Sequence, residues 1–231
     1  MTAFAETKQD DGLRSAREAL YRQHIIEAAE KVFAEQGYSQ SKMQDIAKVA
    51  SVSLTTLYQS FAGKQALYRA VLVTRDEEML AVVMAQVAET LKPPGKVEQV
   101  LRLMRVHLTF LLNHPDYLRM QLHEGVAWYH SASRPSAEEE RMWNQGLDLM
   151  AQVFGWGVEA GLFIPGEPED QARLLLALQQ VRLANWVAGD MQQSHDEVIA
   201  HVQADFVRNF CRPKEAARLL ENDGSGLIRV I

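Results

Sequence analysis

Apolar residues recur at intervals of three and four along almost all of this 231-residue chain, and this spacing places them on one face of a helix. Residues 15–36 show the pattern clearly, with Gly37 after them as a stop signal. All seven prolines lie beyond residue 92 and separate the later helical segments, because proline is poorly tolerated inside a helix. Apart from residues 227–231, no segment alternates apolar and polar residues over strand length. The sequence therefore predicts an all-α fold.

Residues 37–63 form a distinct segment of two short helices joined by a tight turn. Ser41 and Gln44 have the spacing of a capping box at the start of the first helix. Ser53 is a suitable N-cap for the second helix, which buries Leu57. With the long helix before them, these two helices predict an N-terminal three-helix domain of the helix-turn-helix type.

The second short helix carries small or hydrogen-bonding side chains on its outward face, and such a helix fits the major groove of DNA, about 12 Å wide. Lys42 and Lys64 place cations on either side of it. The outward residues are Ser53, Thr55, Thr56, Tyr58, Gln59 and Ser60. Short polar-faced helices also occur in helical domains that bind no nucleic acid, so the pattern alone leaves both interpretations open.

The net charge of −6 seems at first to oppose nucleic-acid binding, because proteins that hold phosphates usually carry a basic surface. The charge is unevenly distributed, however. Residues 1–70 have a net charge of +1, whereas residues 71–231 have a net charge of −7. A polyanionic partner is therefore expected only at the first part of the chain.

A wider set of residues, spread without a gap over residues 25–68, forms a recognisable pattern. Its members are Ile26, Ala28, Ala29, Val32, Phe33, Gly37, Tyr38, Ser41, Asp45, Ile46, Ala47, Ala50, Val52, Ser53, Leu57, Tyr58, Phe61, Lys64 and Leu67. This pattern resembles the DNA-binding region of the TetR family of transcriptional regulators. The resemblance implies a homodimeric, all-helical repressor whose C-terminal domain binds a small molecule and thereby releases operator DNA.

The resemblance also implies roles for individual residues. Lys42 and Gln44 match the helix that fixes the domain on the DNA backbone, and Tyr58 and Lys64 match a phosphate-contacting tyrosine and lysine. The matches to recognition-helix positions are Thr55, Thr56, Gln59 and Ser60.

Two positions depart from the family pattern. Ser51 stands where the family usually has glycine, so a residue with a side chain has to accept a turn conformation that favours glycine. Ser60 stands where the family often has tyrosine or histidine, so one DNA contact is expected to be shorter or missing.

The C-terminal two-thirds of the chain reads as a helical bundle with aromatic and polarisable residues inside. Any one of them is ordinary core material, but together they predict an apolar pocket with few polar anchors for a small apolar or aromatic effector. The candidate ligand-binding residues are His107, Phe110, Met120, His123, Trp128, Trp143 and Phe154. Helical glycines such as Gly157 either let helices approach closely or leave room for a ligand, and the sequence does not decide between these.

Residues 168–211 are the candidate homodimer interface. The part from 168 to 190 is apolar on all sides, which indicates a helix that is either central or shared with a second subunit.

Several classes of function are excluded. The single cysteine cannot form a disulfide framework or a zinc site by itself, and no catalytic motif or phosphate-binding glycine loop is present. No apolar run reaches the roughly 18 residues that cross a bilayer, and the N-terminus does not resemble a secretory signal. We therefore expect a cytoplasmic protein that is no enzyme and needs neither metal nor cofactor.

The predicted organisation is a flexible arm over 1–14, a helix-turn-helix domain over 15–65, a ligand-binding and dimerisation domain over 66–222, and a tail over 223–231. The leading hypothesis is a repressor that binds a palindromic operator of double-stranded DNA as a homodimer and responds to a small molecule. The alternative is a helical small-molecule-binding or protein-interaction module whose DNA binding is weak or vestigial.

Overall fold

The computed structural model describes residues 3–90, 96–124 and 137–220, and in these ranges the regular structure is helical. The helices are α1 (Ala3–Gln40), α2 (Met43–Val49), α3 (Leu54–Ser60), α4 (Lys64–Thr90), α5 (Val97–Asn113), α6 (Pro115–Glu124), α7 (Ala137–Glu159), α8 (Pro168–Ala188), α9 (His195–Phe210) and α10 (Pro213–Leu219). An isolated bridge joins Phe163 to Cys211. The all-α prediction is confirmed.

Helix α1 begins earlier than the sequence analysis placed it. It starts at Ala3, so residues 3–14, which we expected to form an arm, belong to the helix. Gly12 lies within this stretch, and a single glycine costs a helix only about 1 kcal/mol. At the other end, Gly37 has φ of 71° and interrupts the helical geometry, so the last turn of α1 is kinked.

The chain divides into two compact units, Met1–Arg75 and Asp76–Ile231. The boundary lies ten residues after the predicted domain start at 66, because the beginning of α4 packs into the first unit. Leu67 and Val71 of α4 are fully buried there, as are Ile25 and Phe33 of α1. The apolar faces of α1 and α4 are therefore the core that supports the two short helices.

The second unit has an aromatic core. Four phenylalanines from α7, α9 and the segment after α7 pack with ring centroids 5.1 to 6.1 Å apart, mostly in tilted or edge-to-face geometry. They are Phe154, Phe163, Phe206 and Phe210. Such contacts fix the segment after α7 against α9, and the backbone N–H of Ile164 donates to the carbonyl of Phe210 over 2.9 Å.

Cys211 lies directly after α9, next to this core. Its side chain is buried, and burial, helped by the nearby Glu215 carboxylate, raises the pKa of the thiol to about 12. A thiol with such a pKa carries almost no thiolate at neutral pH and is chemically inert.

Gly157 of α7 is required by a close approach. A Cβ at this position would lie 2.1 Å from two ring carbons of Phe163, which is far inside van der Waals contact. At this glycine, the missing side chain therefore allows close packing and does not leave room for a ligand.

The helices in the described ranges include none that combines the length and apolarity needed to span a bilayer.

We expect Gly157→Ala to lower the free energy of unfolding of the second unit by about 1–3 kcal/mol, because the new methyl group displaces the Phe163 ring. Urea denaturation followed by circular dichroism measures the change. Gly146→Ala in the same helix is the matched control, since nothing lies within 4 Å of its added Cβ, and it should stabilise the helix by about 1 kcal/mol. Equal effects of the two substitutions would contradict the packing explanation.

Candidate nucleic-acid interface

Helix α3 has one buried face and one exposed face. Ser53 is its N-cap, with an extended backbone and a side-chain oxygen that accepts a hydrogen bond from the backbone N–H of Thr56 over 3.0 Å. Leu57 is fully buried and holds the helix to the core. The N-cap and the buried leucine predicted from the sequence are both confirmed.

The predicted contact residues of α3 have different surroundings. Thr55, Tyr58 and Gln59 are exposed to solvent, and 51% of Tyr58 is accessible. Thr56 is half-buried and its hydroxyl lies 2.7 Å from that of Ser53, so these two side chains belong to the helix cap. The Ser60 hydroxyl is half-buried as well and donates to the carbonyl of Thr56 over 3.1 Å. Thr55, Tyr58 and Gln59 are therefore the side chains that α3 offers to a partner.

The turn between α2 and α3 contains a residue in the left-handed conformation. Ser51 has φ of 54°, as its mismatch with the usual glycine led us to expect. The N–H of Ser51 donates to the carbonyl of Lys48 over 3.2 Å, and that of Val52 donates to Ala47 over 3.0 Å. This is the Schellman arrangement, which satisfies the last carbonyls of α2 and normally places glycine at the left-handed position.

Helix α1 contacts the distal ends of both short helices through side chains that the sequence analysis did not single out. Arg22 donates to the carbonyl of Ser60 over 3.0 Å, and its guanidinium lies 4.2 Å above the centre of the Phe61 ring. His24 donates from Nε2 to the carbonyl of Ala50 over 3.1 Å. These partners are 38 and 26 residues away, so no local pattern could have revealed the contacts.

Helix α2 starts one residue later than its predicted capping box. Its N-cap is Lys42, which makes no side-chain cap, whereas the Ser41 hydroxyl donates backwards to the carbonyl of Tyr38 over 2.9 Å. The predicted capping box is therefore wrong, because Ser41 satisfies the end of α1 instead of the start of α2.

Cations and amides lie on the exposed surface of α2. Lys42 and Gln44 are exposed, as predicted, and so is Lys48, which the sequence analysis missed. Its spacing of four residues from Gln44 was a usable signal, since residues i and i+4 share one face of a helix.

Lys64, which with Tyr58 matches a phosphate contact of the family, forms hydrogen bonds within the protein. Its Nζ donates to the backbone carbonyls of Tyr38 over 2.6 Å, Ser41 over 2.9 Å and Ser39 over 3.4 Å.

The candidate ligand residues of the second unit differ in burial. Phe110 and Met120 are buried, His107 is partly buried, and His123 is exposed. Burial lowers the pKa of His107 to about 4, so its imidazole is neutral at physiological pH. Phe154 belongs to the aromatic core described above.

Two further candidate ligand residues are the tryptophans Trp128 and Trp143. Trp128 lies outside the described residues, and for Trp143 the structure describes the backbone of α7 but not the side chain.

A cavity of about 650 Å³ opens between α7 and the start of α8. None of the predicted ligand residues lines it. Its walls are formed by Asp148, Ala151, Gln152, Glu167, Pro168, Glu169 and Asp170, so four of its seven lining residues are acidic. Among the described residues, no group of three or more potential metal-ligating side chains converges.

Comparison with known proteins links the first unit to a family. Residues 25–71 match the sequence profile described as bacterial regulatory proteins, tetR family. The helix-turn-helix transcriptional regulator UidR of Escherichia coli strain K12 is 37% identical over 60 residues, which make up 26% of this chain and 31% of UidR. The uncharacterised helix-turn-helix regulator YuxN of Bacillus subtilis strain 168 is 28% identical over 133 residues, or 57% of this chain and 45% of YuxN. The chain thus matches less than half the length of either relative.

A solved structure extends the likeness to most of the fold. The transcriptional regulator FadR from Bacillus subtilis, in complex with stearoyl-CoA, superposes with a TM-score of 0.65 at 18% identity. The superposition covers 78% of this chain and 95% of that one. At this identity the likeness concerns the fold.

We expect Ser51→Gly to raise the free energy of unfolding of the first unit by about 1 kcal/mol, because glycine adopts the left-handed conformation without the steric cost of a side chain. Thermal unfolding measures the change. Glu35→Gly, at an exposed position of α1 before the kink at Gly37, is the control and should destabilise, since glycine is a poor helix former. A loss of stability in Ser51→Gly would show that the turn is not strained.

Proposed function

We propose that this chain, whose residues 25–71 match the tetR family profile, is a ligand-responsive transcriptional repressor of the cytoplasm. In this proposal a homodimer binds a roughly palindromic operator, and a small-molecule effector releases it. The observation that carries the proposal is the two-sided character of α3, which is anchored by Leu57 and presents Thr55, Tyr58 and Gln59 to solvent.

The chemistry of these side chains suits DNA. A glutamine amide can bond to the major-groove edge of adenine with both its donor and its acceptor, and hydroxyl groups serve either bases or phosphates. Lys42 and Lys48, both exposed on the first short helix and its N-cap, are placed to neutralise backbone phosphates. Specificity would then come from α3 and general attraction from α2.

The acidic remainder of the chain favours selective over general DNA binding. Residues 71–231 carry a net charge of −7, which repels a polyanion wherever the first unit does not form its specific contacts.

An exposed apolar strip on α8 supports the homodimer. Leu174 and Val181 are each 59% exposed, and their spacing of seven residues places them on one side of the helix. The opposite side is buried in the second unit through Leu175, Leu183 and Trp186. In a helix with apolar residues on both sides, one side packs in the core of its own subunit and the other contacts a second copy of the chain. In a two-fold dimer, the same patch of each subunit meets at this contact.

Binding a palindromic operator requires the recognition helices of the two subunits to reach successive major grooves, about 34–36 Å apart. An effector releases DNA only if it binds better to a dimer geometry that does not fit this spacing. For the effector site we retain the predicted residues His107, Phe110 and Met120, of which Phe110 and Met120 are buried and His107 has a neutral imidazole that would serve as a polar anchor. The stearoyl-CoA complex of FadR lends this part of the proposal support from a protein of the same fold.

Operator binding is tested with DNA from the promoter region beside the protein's own coding sequence and with fragmented genomic DNA, by gel shift at several salt concentrations. We expect a sequence-selective complex that weakens as salt rises. If no fragment gives such a complex, the repressor proposal fails, and the result favours a helical binding module with vestigial DNA contacts.

Two variants separate base reading from phosphate contact. We expect Gln59→Ala to change the preferred base at one operator position at a cost of about 1–3 kcal/mol. Lys42→Ala should weaken all sequences alike and lower the slope of log K against log salt by about 0.9. Fluorescence anisotropy on a panel of single-base operator variants measures both effects. A uniform loss of affinity in Gln59→Ala would remove that residue from the base-reading set.

Introducing negative charges on the exposed strip of α8 tests whether this strip forms the dimer interface. We expect the double variant Leu174→Glu, Val181→Glu to shift the protein from dimer to monomer, because four carboxylates would face one another across the two-fold contact. Analytical ultracentrifugation measures the mass. Leu20→Glu is the matched control, since Leu20 is a leucine of α1 that is 72% exposed and lies outside α8. A double variant that stays dimeric would place the interface elsewhere.

A further inference from the structure

Two side chains of α1 bind the carboxyl ends of the two short helices. Arg22 donates from Nη1 to the carbonyl of Ser60, the last residue of α3, over 3.0 Å. His24 donates from Nε2 to the carbonyl of Ala50, the C-cap of α2, over 3.1 Å. The last carbonyls of a helix lack partners within the helix. Each short helix therefore receives from α1 a hydrogen bond that its own backbone cannot supply.

Arg22 also covers the residue that follows α3. Its guanidinium carbon lies 4.2 Å from the centre of the Phe61 ring, within the range of a cation–π interaction, and Phe61 is 4% exposed. Within α3 itself, Leu57 is the only buried residue. A single buried anchor fixes the place of a helix but restrains its tilt poorly, so the direction of α3 depends on the contacts at its ends.

Helix α1 is a firm base for both contacts. Ile25 and Ala29, shortly after the two donors, are fully buried in the first unit. Since a helix has about 3.6 residues per turn, side chains two positions apart leave it in different directions. Helix α1 thus reaches the end of α3 with Arg22 and the end of α2 with His24.

We propose that Arg22 and His24 are positioning residues, which set the direction of α3 relative to α2 and thereby align the exposed side chains of α3 for base reading. The proposal rests on the proposed function for its effect on DNA. Both residues lie before residue 25, where the match to the family profile begins, so the DNA-reading unit starts ahead of the matched region. A binding site has to hold its side chains within about 0.5 Å and 10–20° of the productive geometry, so a tilt of α3 reduces selectivity among bases.

Hydrogen exchange followed by nuclear magnetic resonance tests the two contacts without DNA. Arg22→Met keeps the aliphatic stem and removes the donors, and His24→Leu removes the donor to α2. We expect Arg22→Met to speed the exchange of the amides of residues 59–61 at least about fivefold and to leave residues 50–52 unchanged, because only the end of α3 is released. His24→Leu should give the reverse pattern. Gln23→Met is the matched control, since Gln23 forms its hydrogen bond within α1, and it should leave both ends unchanged.

Two results of this experiment would overturn the proposal. One is wild-type exchange at both helix ends in the two variants. The other is an equal acceleration of every amide in the first unit, because that pattern reports a loss of global stability and not the release of one helix end.

Operator selectivity tests the effect on DNA, at a temperature where every variant is fully folded. Fluorescence anisotropy measures the ratio of affinities for the operator and for its single-base variants. We expect Arg22→Met to lower this ratio about tenfold, because a tilted α3 loses base contacts. Arg22→Lys should retain most of the ratio, since an ammonium can still donate to the Ser60 carbonyl and lie over the Phe61 ring. Lys31→Met removes the same charge from an exposed position of α1, so it is the charge-matched control and should leave the ratio unchanged.

The affinities also separate positioning from other roles of Arg22. If Arg22→Met binds with wild-type affinity and selectivity, the contact contributes stability alone and the proposal fails. Equal weakening of operator and other DNA would assign Arg22 a general attraction to phosphates, and the proposal fails as well. If the wild-type protein selects no operator, the proposed function fails, while hydrogen exchange still decides whether α1 holds the two helix ends.

Discussion

Helices α2 and α3 contain seven residues each, and isolated helices of this length do not persist in water. Their order has to come from the surrounding structure, and that requirement explains most of the contacts in the first unit. Leu57 and Ile46, both fully buried, supply the apolar anchors. The remaining constraints act on helix ends, where backbone groups would otherwise lack partners. Arg22 binds the end of α3, His24 binds the end of α2, and Lys64 binds the end of α1.

The features that could be predicted from the sequence are those that depend on neighbouring residues. The N-cap at Ser53, the buried Leu57 and the unfavourable turn at Ser51 each follow from a few adjacent positions, and the structure contains all three. The capping box at Ser41 obeys the same local rule, yet it does not form. The Ser41 hydroxyl donates to the Tyr38 carbonyl instead, and the Ser41 carbonyl accepts from Lys64, 23 residues further along, a contact that no local pattern encodes.

In the second unit, too, the sequence predicts only those packing features that depend on neighbouring residues. The apolar surround of α8 predicts a helix that is either central or shared with a second subunit, and the structure shows a buried side and an exposed apolar side on it. The candidate ligand residues were chosen by type alone, and type does not distinguish a core phenylalanine such as Phe154 from one that lines a cavity. Gly157 cannot carry a side chain because the Phe163 ring packs against it. Phe163 comes from the segment after α7, so the residue pattern of α7 does not reveal this requirement.

The inert thiol of Cys211 has a practical consequence for experiments on this protein. It is the only cysteine in the sequence, and its burial and raised pKa withhold it from maleimide and iodoacetamide reagents at neutral pH. A second cysteine introduced at an exposed site such as Gln36 or Gln192 would therefore accept a fluorophore or a spin label selectively. The native chain can carry distance probes in either unit without prior removal of its own cysteine, so the aromatic core beside it stays intact.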